Sequence, residues 1–193
     1  MLLLVGAERF NVVTHDRGTC QADFIAANHP EHVLRYARGE QHLFYFNPLL
    51  APQRGIFMNA AYNGALDTPN RMVAWSHASL DTKPIPEHQM ARVIQEFSYP
   101  GIPRAVPRYF NSSSFRVEWL QRREGLLMAW KCPLLILQGY HSKTQPREYY
   151  ESINHEHMPN AKSVKVKFLP GGHFWPRECP SETTDALEQF FRS

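Results

Sequence analysis

Short apolar runs alternate with stretches of helical period along most of this chain. Residues 10–13 form a β-branched and aromatic run that stops abruptly at His15-Asp16-Arg17-Gly18, which predicts a buried strand ending in a turn. From 19 to 29 the period becomes helical, with Ala22, Ile25 and Ala26 apolar and Pro30 as the stop. A second strand is expected over 33–37, followed by Arg38-Gly39-Glu40. Pro133-Leu134-Leu135-Ile136-Leu137 is continuously apolar, as a strand buried on both faces requires. A helix near 146–155, a strand over 164–169, the turn Gly171-Gly172-His173 and an amphipathic helix over about 182–192 complete the pattern. The apolar first residues, closed at Gly6, read as the end of a helix.

The section between these two halves differs in kind. Residues 47–130 hold most of the 15 prolines, two expected helices near 86–97 and 115–129, and no clear strand. Strands alternating with helices predict an α/β fold of about four mostly parallel strands, built from 1–46 and 131–193, with 47–130 as an inserted helical cap. Ligands of such sheets bind at the carboxyl ends of the strands. Asp16, Glu40 and His173 all fall there.

Composition narrows the function classes. The 193 residues, 43% apolar and 20% charged, are those of one ordinary globular domain. A net charge of +3 with scattered Lys and Arg argues against nucleic acid or a membrane surface as partner. No run approaches the roughly 20 apolar residues of a membrane span, and the first residues make a poor signal peptide. Three widely spaced cysteines, Cys20, Cys132 and Cys179, suggest reduced thiols and a cytoplasmic location. Neither a Gly-rich phosphate loop nor a zinc-ligand spacing is present, so no cofactor and no metal are implied. His155-Glu156-His157 reads as a polar surface stretch.

A nucleophile on a sharp strand-to-helix turn is exposed at the edge of a sheet, and the next backbone N–H faces the developing oxyanion. Small residues are expected around it, and Thr14 and Gly18 flank Asp16 here. A carboxylate in that place attacks carbon and forms an ester, which water then hydrolyses. Histidine suits the base that activates the water, and a second carboxylate would orient that histidine.

The elbow His15-Asp16-Arg17-Gly18, the segment His29-Pro30-Glu31-His32-Val33 and the end Gly171-Gly172-His173-Phe174 resemble the aspartate-nucleophile branch of the α/β-hydrolases, which includes epoxide hydrolases and haloalkane and fluoroacetate dehalogenases. The resemblance covers residues 1–46 and 131–193. It implies Asp16 as nucleophile, His173 as base and the Arg17 backbone N–H as half of an oxyanion hole. The acid of many relatives lies in a Gly-x-x-Asp turn, which here reads Gly139-Tyr140-His141-Ser142. The other place the family uses falls on Glu40. A second arginine that helps the fluoroacetate enzymes hold a carboxylate is replaced by Cys20, and Arg17 stands where haloalkane dehalogenases carry tryptophan. Trp75, His77, Tyr99, Tyr109 and Trp119 are cap candidates for polarising an epoxide oxygen or holding a halide, with Tyr109 and Trp75 foremost.

The family also places several strands and a His-Gly-x-Pro loop ahead of the elbow, which in this chain begins at residue 14. An N-terminally truncated hydrolase is therefore expected, with the strand at 10–13 on an exposed edge through which copies of the chain could associate. Two functions remain open on the sequence. One is a hydrolase of small molecules; the other is a catalytically silent remnant that binds or assembles.

Overall fold

The structure, a computed structural model, describes residues 8–43, 77, 80–102, 125–144 and 147–193. Its centre is a four-stranded parallel sheet of β1 (Phe10–His15), β2 (Val33–Gly39), β3 (Pro133–Gly139) and β4 (Ser163–Leu169), in the order β1-β2-β3-β4. Helix α1 (Gly18–Asn28) connects β1 to β2, and α2 (Glu87–Phe97) lies in the long section before β3. The short α3 (Arg147–Glu151) precedes β4, and α4 (Trp175–Glu178) and α5 (Pro180–Arg192) follow it.

Side-chain alternation along β3 explains both halves of the core. Leu134 and Ile136 pack with Tyr36, Trp130, Ala22 and Ala26 of α1, and Tyr149 and Tyr150 of α3. Leu135 and Leu137 face the other way, onto Leu169, Trp175 and Cys179, and onto Ala186 and Phe190 of α5. The continuous apolar run read from the sequence is thus a strand covered on both faces. β1 lies at the edge of the sheet, where Val13 remains 49% exposed. The three cysteines are buried and unpaired in disulfides.

Some boundaries differ from the sequence expectation. The helix expected over 146–155 closes after Glu151, because Asn154 caps a separate 3-10 turn at His155–His157 by accepting from the Glu156 N–H. The terminal helix begins at Pro180 rather than near 182, since proline's fixed φ suits the first helical turn. Of the helix expected near 115–129, residues 125–129 are described; 125–127 are helical and 128–129 form a turn. The helix expected to close at Gly6 lies outside the described residues, as does most of the 47–130 section. None of the described helices is long and apolar enough to cross a membrane.

An ion pair is sealed near the carboxyl end of β2. Asp23 of α1 accepts from Arg38 Nε at 3.1 Å and Nη2 at 3.0 Å, and from the Tyr36 hydroxyl at 2.9 Å. Both charges are buried. Arg38 also donates to the carbonyls of Gln41 and His42, 3.1 Å each, which fixes the backbone just beyond Glu40. Burial alone would lower the Arg38 pKa, but the Asp23 charge outweighs it and holds the guanidinium ionised. Asp23→Ala leaves that cation unpaired and is expected to cost about 3–5 kcal/mol, read from the denaturant midpoint. Replacing both residues together, Asp23→Leu with Arg38→Met, should recover most of the loss.

Candidate active site

Asp16, Glu40 and His173 come from loops at the carboxyl ends of β1, β2 and β4. The two non-glycine residues with positive φ among those described are Asp16, at 50°, and Glu40, at 56°. A side chain in the left-handed region is strained, so two such residues at the ends of neighbouring strands mark a built site. The elbow is pinned from both sides: the Asp16 N–H donates to the Gly39 carbonyl at 3.0 Å, and the Thr19 N–H donates to the Asp16 carbonyl at 3.0 Å. Gly39 must be glycine, because a Cβ there would lie 2.5 Å from the Leu137 carbonyl oxygen and 2.6 Å from the Trp175 ring. Crowding expected at Gly18 is not found; a Cβ there would meet nothing within 4 Å.

His173 joins the two carboxylates. Its Nδ1 donates to Glu40 Oε2 at 2.9 Å, and its Nε2 lies 3.5 Å from Asp16 Oδ2. Glu40 and His173 are buried, whereas the Asp16 side chain is 45% exposed and so can meet a ligand. Glu40 is fully occupied: the Gly139 N–H donates to Oε1 at 2.9 Å, and the hydroxyls of Ser142 and Thr144 donate to Oε2 at 2.7 and 2.8 Å. Ser142, at the end of the Gly139-Tyr140-His141-Ser142 turn, therefore touches Glu40 directly. The two chain positions open to the acid in the sequence meet in space.

Electrostatics sharpen the arrangement. Burial would lower the His173 pKa, but hydrogen bonds to Asp16 and Glu40, together with their charges, push it up to about 10. Burial likewise would raise Asp16, yet the bond to His173 and the His173 and Arg17 charges hold its carboxyl below the usual value. Both shifts favour an imidazolium at His173 beside an Asp16 carboxylate at neutral pH.

His15, which the sequence offered only as part of the elbow motif, has a separate role. Its Nε2 donates to the His173 carbonyl at 2.7 Å, and its ring lies 5.0 Å from that of His173 and edge-on to Trp175 at 5.3 Å. Burial first, then the His173 charge, lower the His15 pKa, which keeps the ring neutral with its proton on Nε2. Its position beside Asp16 was the available signal. Nothing in the sequence pointed to Thr144, Asp23 or Arg38.

The remaining candidates divide. Arg17 is the N-cap residue of α1, where its backbone N–H belongs to the elbow. His77 reaches the neighbourhood of the site: its ring lies 4.9 Å from that of Phe174, and its Nδ1 is bonded to Asp81. The segment that follows is fastened to the histidine loop. There the His173 N–H donates to the Leu80 carbonyl at 3.2 Å, and Glu178 accepts from the Thr82 N–H at 2.9 Å and the Gly172 N–H at 3.1 Å. Tyr99 lies at the surface, 62% exposed. Trp75, Tyr109 and Trp119 lie outside the described residues. His155 and His157 serve the 3-10 turn, bonding the Ala161 carbonyl and Asn154.

No protein-family model matches the chain, and no curated protein sequence does. Solved structures do. The chain is similar to the epoxide hydrolase CorEH, at TM-score 0.73 and 18% identity over 99% of this chain and 70% of that one. It is similar also to the enol-lactonase from Burkholderia xenovorans LB400, at TM-score 0.68 and 15% identity over 100% and 69%. A bromoperoxidase from Bacillus anthracis aligns at TM-score 0.72 and 17% identity over 100% and 70%. The chain thus has a partial α/β-hydrolase fold. At such identities the likeness concerns the fold, and the three names span different reactions.

The ion triad has a consequence for stability. His173 is raised from 6.5 to about 10, so its contribution is complete below pH 6.5 and is lost as pH climbs through 10. The lowered Asp16 contributes above its ordinary pKa of 3.8 and loses that contribution as pH falls. Unfolding free energy should decline between pH 6.5 and about 10, and His173→Gln should flatten that decline. An equal slope in both proteins would contradict the assignment.

Proposed function

We propose that this protein is a cofactor-independent hydrolase of the epoxide hydrolase and dehalogenase type, acting on small molecules with an electrophilic carbon through an Asp16 ester. The observation that carries the reading is a carboxylate on a left-handed elbow, half exposed, 3.5 Å from a buried histidine that is itself held by Glu40. A serine in that place would need His173 to take its proton. Asp16 is already an anion and needs no base, so a protonated His173 does not obstruct its attack.

The charges also order the steps. Asp16 Oδ attacks the substrate carbon, and the bond from that carbon to its oxygen or halogen breaks. Asp16 becomes a neutral ester, and the contributions that Asp16 makes to the raised His173 pKa disappear. Burial then pulls the imidazole down against Glu40 alone. His173 then gives its Nε2 proton to the alkoxide of an opened epoxide or, where a halide has left, to solvent, and it becomes a base for water only after the ester exists. Water adds to the ester carbonyl, His173 takes its proton, and collapse of the adduct releases the alcohol and restores Asp16. The Arg17 N–H would stabilise the oxyanion of that adduct.

A carboxylate clamp made of two arginines is incomplete here, since Arg17 is followed three residues later by buried Cys20. That favours neutral epoxides over haloacids. The leaving oxygen needs a donor, for which Tyr109 and Trp75 are the cap residues of choice.

Asp16 labelling tests the mechanism. A single turnover in ¹⁸O-water with a panel of epoxides and haloacids should place one label in the Asp16 peptide, while the first product carries none. His173→Gln should let the ester accumulate, visible as added mass on the same peptide. Label in the product alone would place water on the substrate directly and remove Asp16 as nucleophile. No turnover with any member of the panel would favour the silent binding remnant.

A further inference from the structure

We infer that His29, Glu31 and His32 form a binding site for one divalent transition-metal ion of the zinc class, at the end of the sheet opposite Asp16. His29 is the C-cap of α1, and His32 immediately precedes β2, so all three residues sit in the connection that feeds the amino ends of the parallel strands. Asp16, Glu40 and His173 lie beyond the carboxyl ends. A strand of six or seven residues separates the two places by roughly 20 Å.

The three side chains converge. One atom from each lies within 4.8 Å of the others. Glu31 Oε1 is 3.4 Å from His32 Nε2 and 3.8 Å from His29 Nδ1. Two ligands of a tetrahedral zinc, each about 2.0–2.1 Å from the metal, stand about 3.3 Å apart; the two Glu31 contacts are near that spacing, and the remaining pair, within 4.8 Å, closes by side-chain rotation. Pro30 stiffens the turn between the first two ligands.

His32 adds an independent observation. Its Nδ1 donates to the Glu8 carbonyl at 2.6 Å, which fixes the ring and turns Nε2 toward Glu31, 3.4 Å away. Metal-ligating histidines are oriented in this way, by a carbonyl or carboxylate on the far ring nitrogen. Two imidazoles and one carboxylate, with an open position for water, match the preferences of zinc, cobalt or nickel rather than calcium or magnesium. The chain is also tied at this point, since the Phe10 N–H donates to the His32 carbonyl at 2.9 Å. A bound ion would clamp the end of α1 to the residues that open β1.

Calorimetric titration of the full chain with zinc chloride tests the site, with cobalt chloride absorption as a second readout. One equivalent of zinc should bind, and His29→Ala and His32→Ala should each weaken it at least about tenfold. The cobalt spectrum should lack the near-ultraviolet charge transfer of a cysteine ligand. Zinc should raise the thermal midpoint of the parent protein and leave that of the double His→Ala variant unmoved, each measured against the same protein without metal. Absence of stoichiometric binding would reduce the cluster to surface His–Glu ion pairs and overturn the inference. Binding that survives the double substitution, or shows thiolate charge transfer, would overturn it equally.

Discussion

The bond from His173 Nδ1 to Glu40 Oε2 is the interaction on which the site depends, because it fastens the loops after β2 and β4 into one unit. Glu40 is able to serve it only because Gly39 lets the strand pass under Trp175, and because Arg38 holds the carbonyls of the next two residues. Arg38 is in turn fixed by Asp23 of α1, the helix that Asp16 opens onto. Asp16 and Glu40 are therefore linked twice: through His173 in the crevice, and through the buried ion pair beneath it. His15 completes the circuit by donating from the elbow to the His173 backbone.

That geometry sets the chemistry by charge. A serine nucleophile and an aspartate nucleophile would occupy the same turn of this fold, but they make opposite demands on the histidine. An anion at 3.5 Å stabilises the imidazolium, and in the proposed mechanism it postpones the action of His173 as a base until the anion is consumed. The fold, shared with structures named as an epoxide hydrolase, an enol-lactonase and a bromoperoxidase, does not select among these reactions. The proposal rests that choice on Asp16.

Much of this was legible in the residues. The β3 run, the α1 period with its Pro30 stop and the turns after β1 and β4 were readable because each is local: alternation, helical period and turn chemistry act within a few residues. A place for Glu40 beside His173 was also readable, because Ser142 left the alternative position without a carboxylate. What the sequence could not show is how the two places meet, with the Ser142 hydroxyl on Glu40 Oε2, since that contact joins residues 102 apart. The Asp23–Arg38 pair and the His15 bond are long-range for the same reason, and a buried charge looks like any surface charge in a string of letters. The helix expected over 146–155 was overextended because Asn154 can cap as readily as it can continue a polar face.

The claim that Asp16 and His173 form a resting ion pair, relieved when Asp16 loses its charge, can be read directly from the imidazole. Nitrogen NMR of the His173 ring across the pH range, in the parent protein and in Asp16→Asn, isolates the contribution of that one charge. The expected result is an imidazolium that titrates far above the ordinary 6.5 in the parent, toward about 10, and falls markedly in Asp16→Asn while the bond to Glu40 persists. A His173 that titrates at the same pH in both proteins would contradict it.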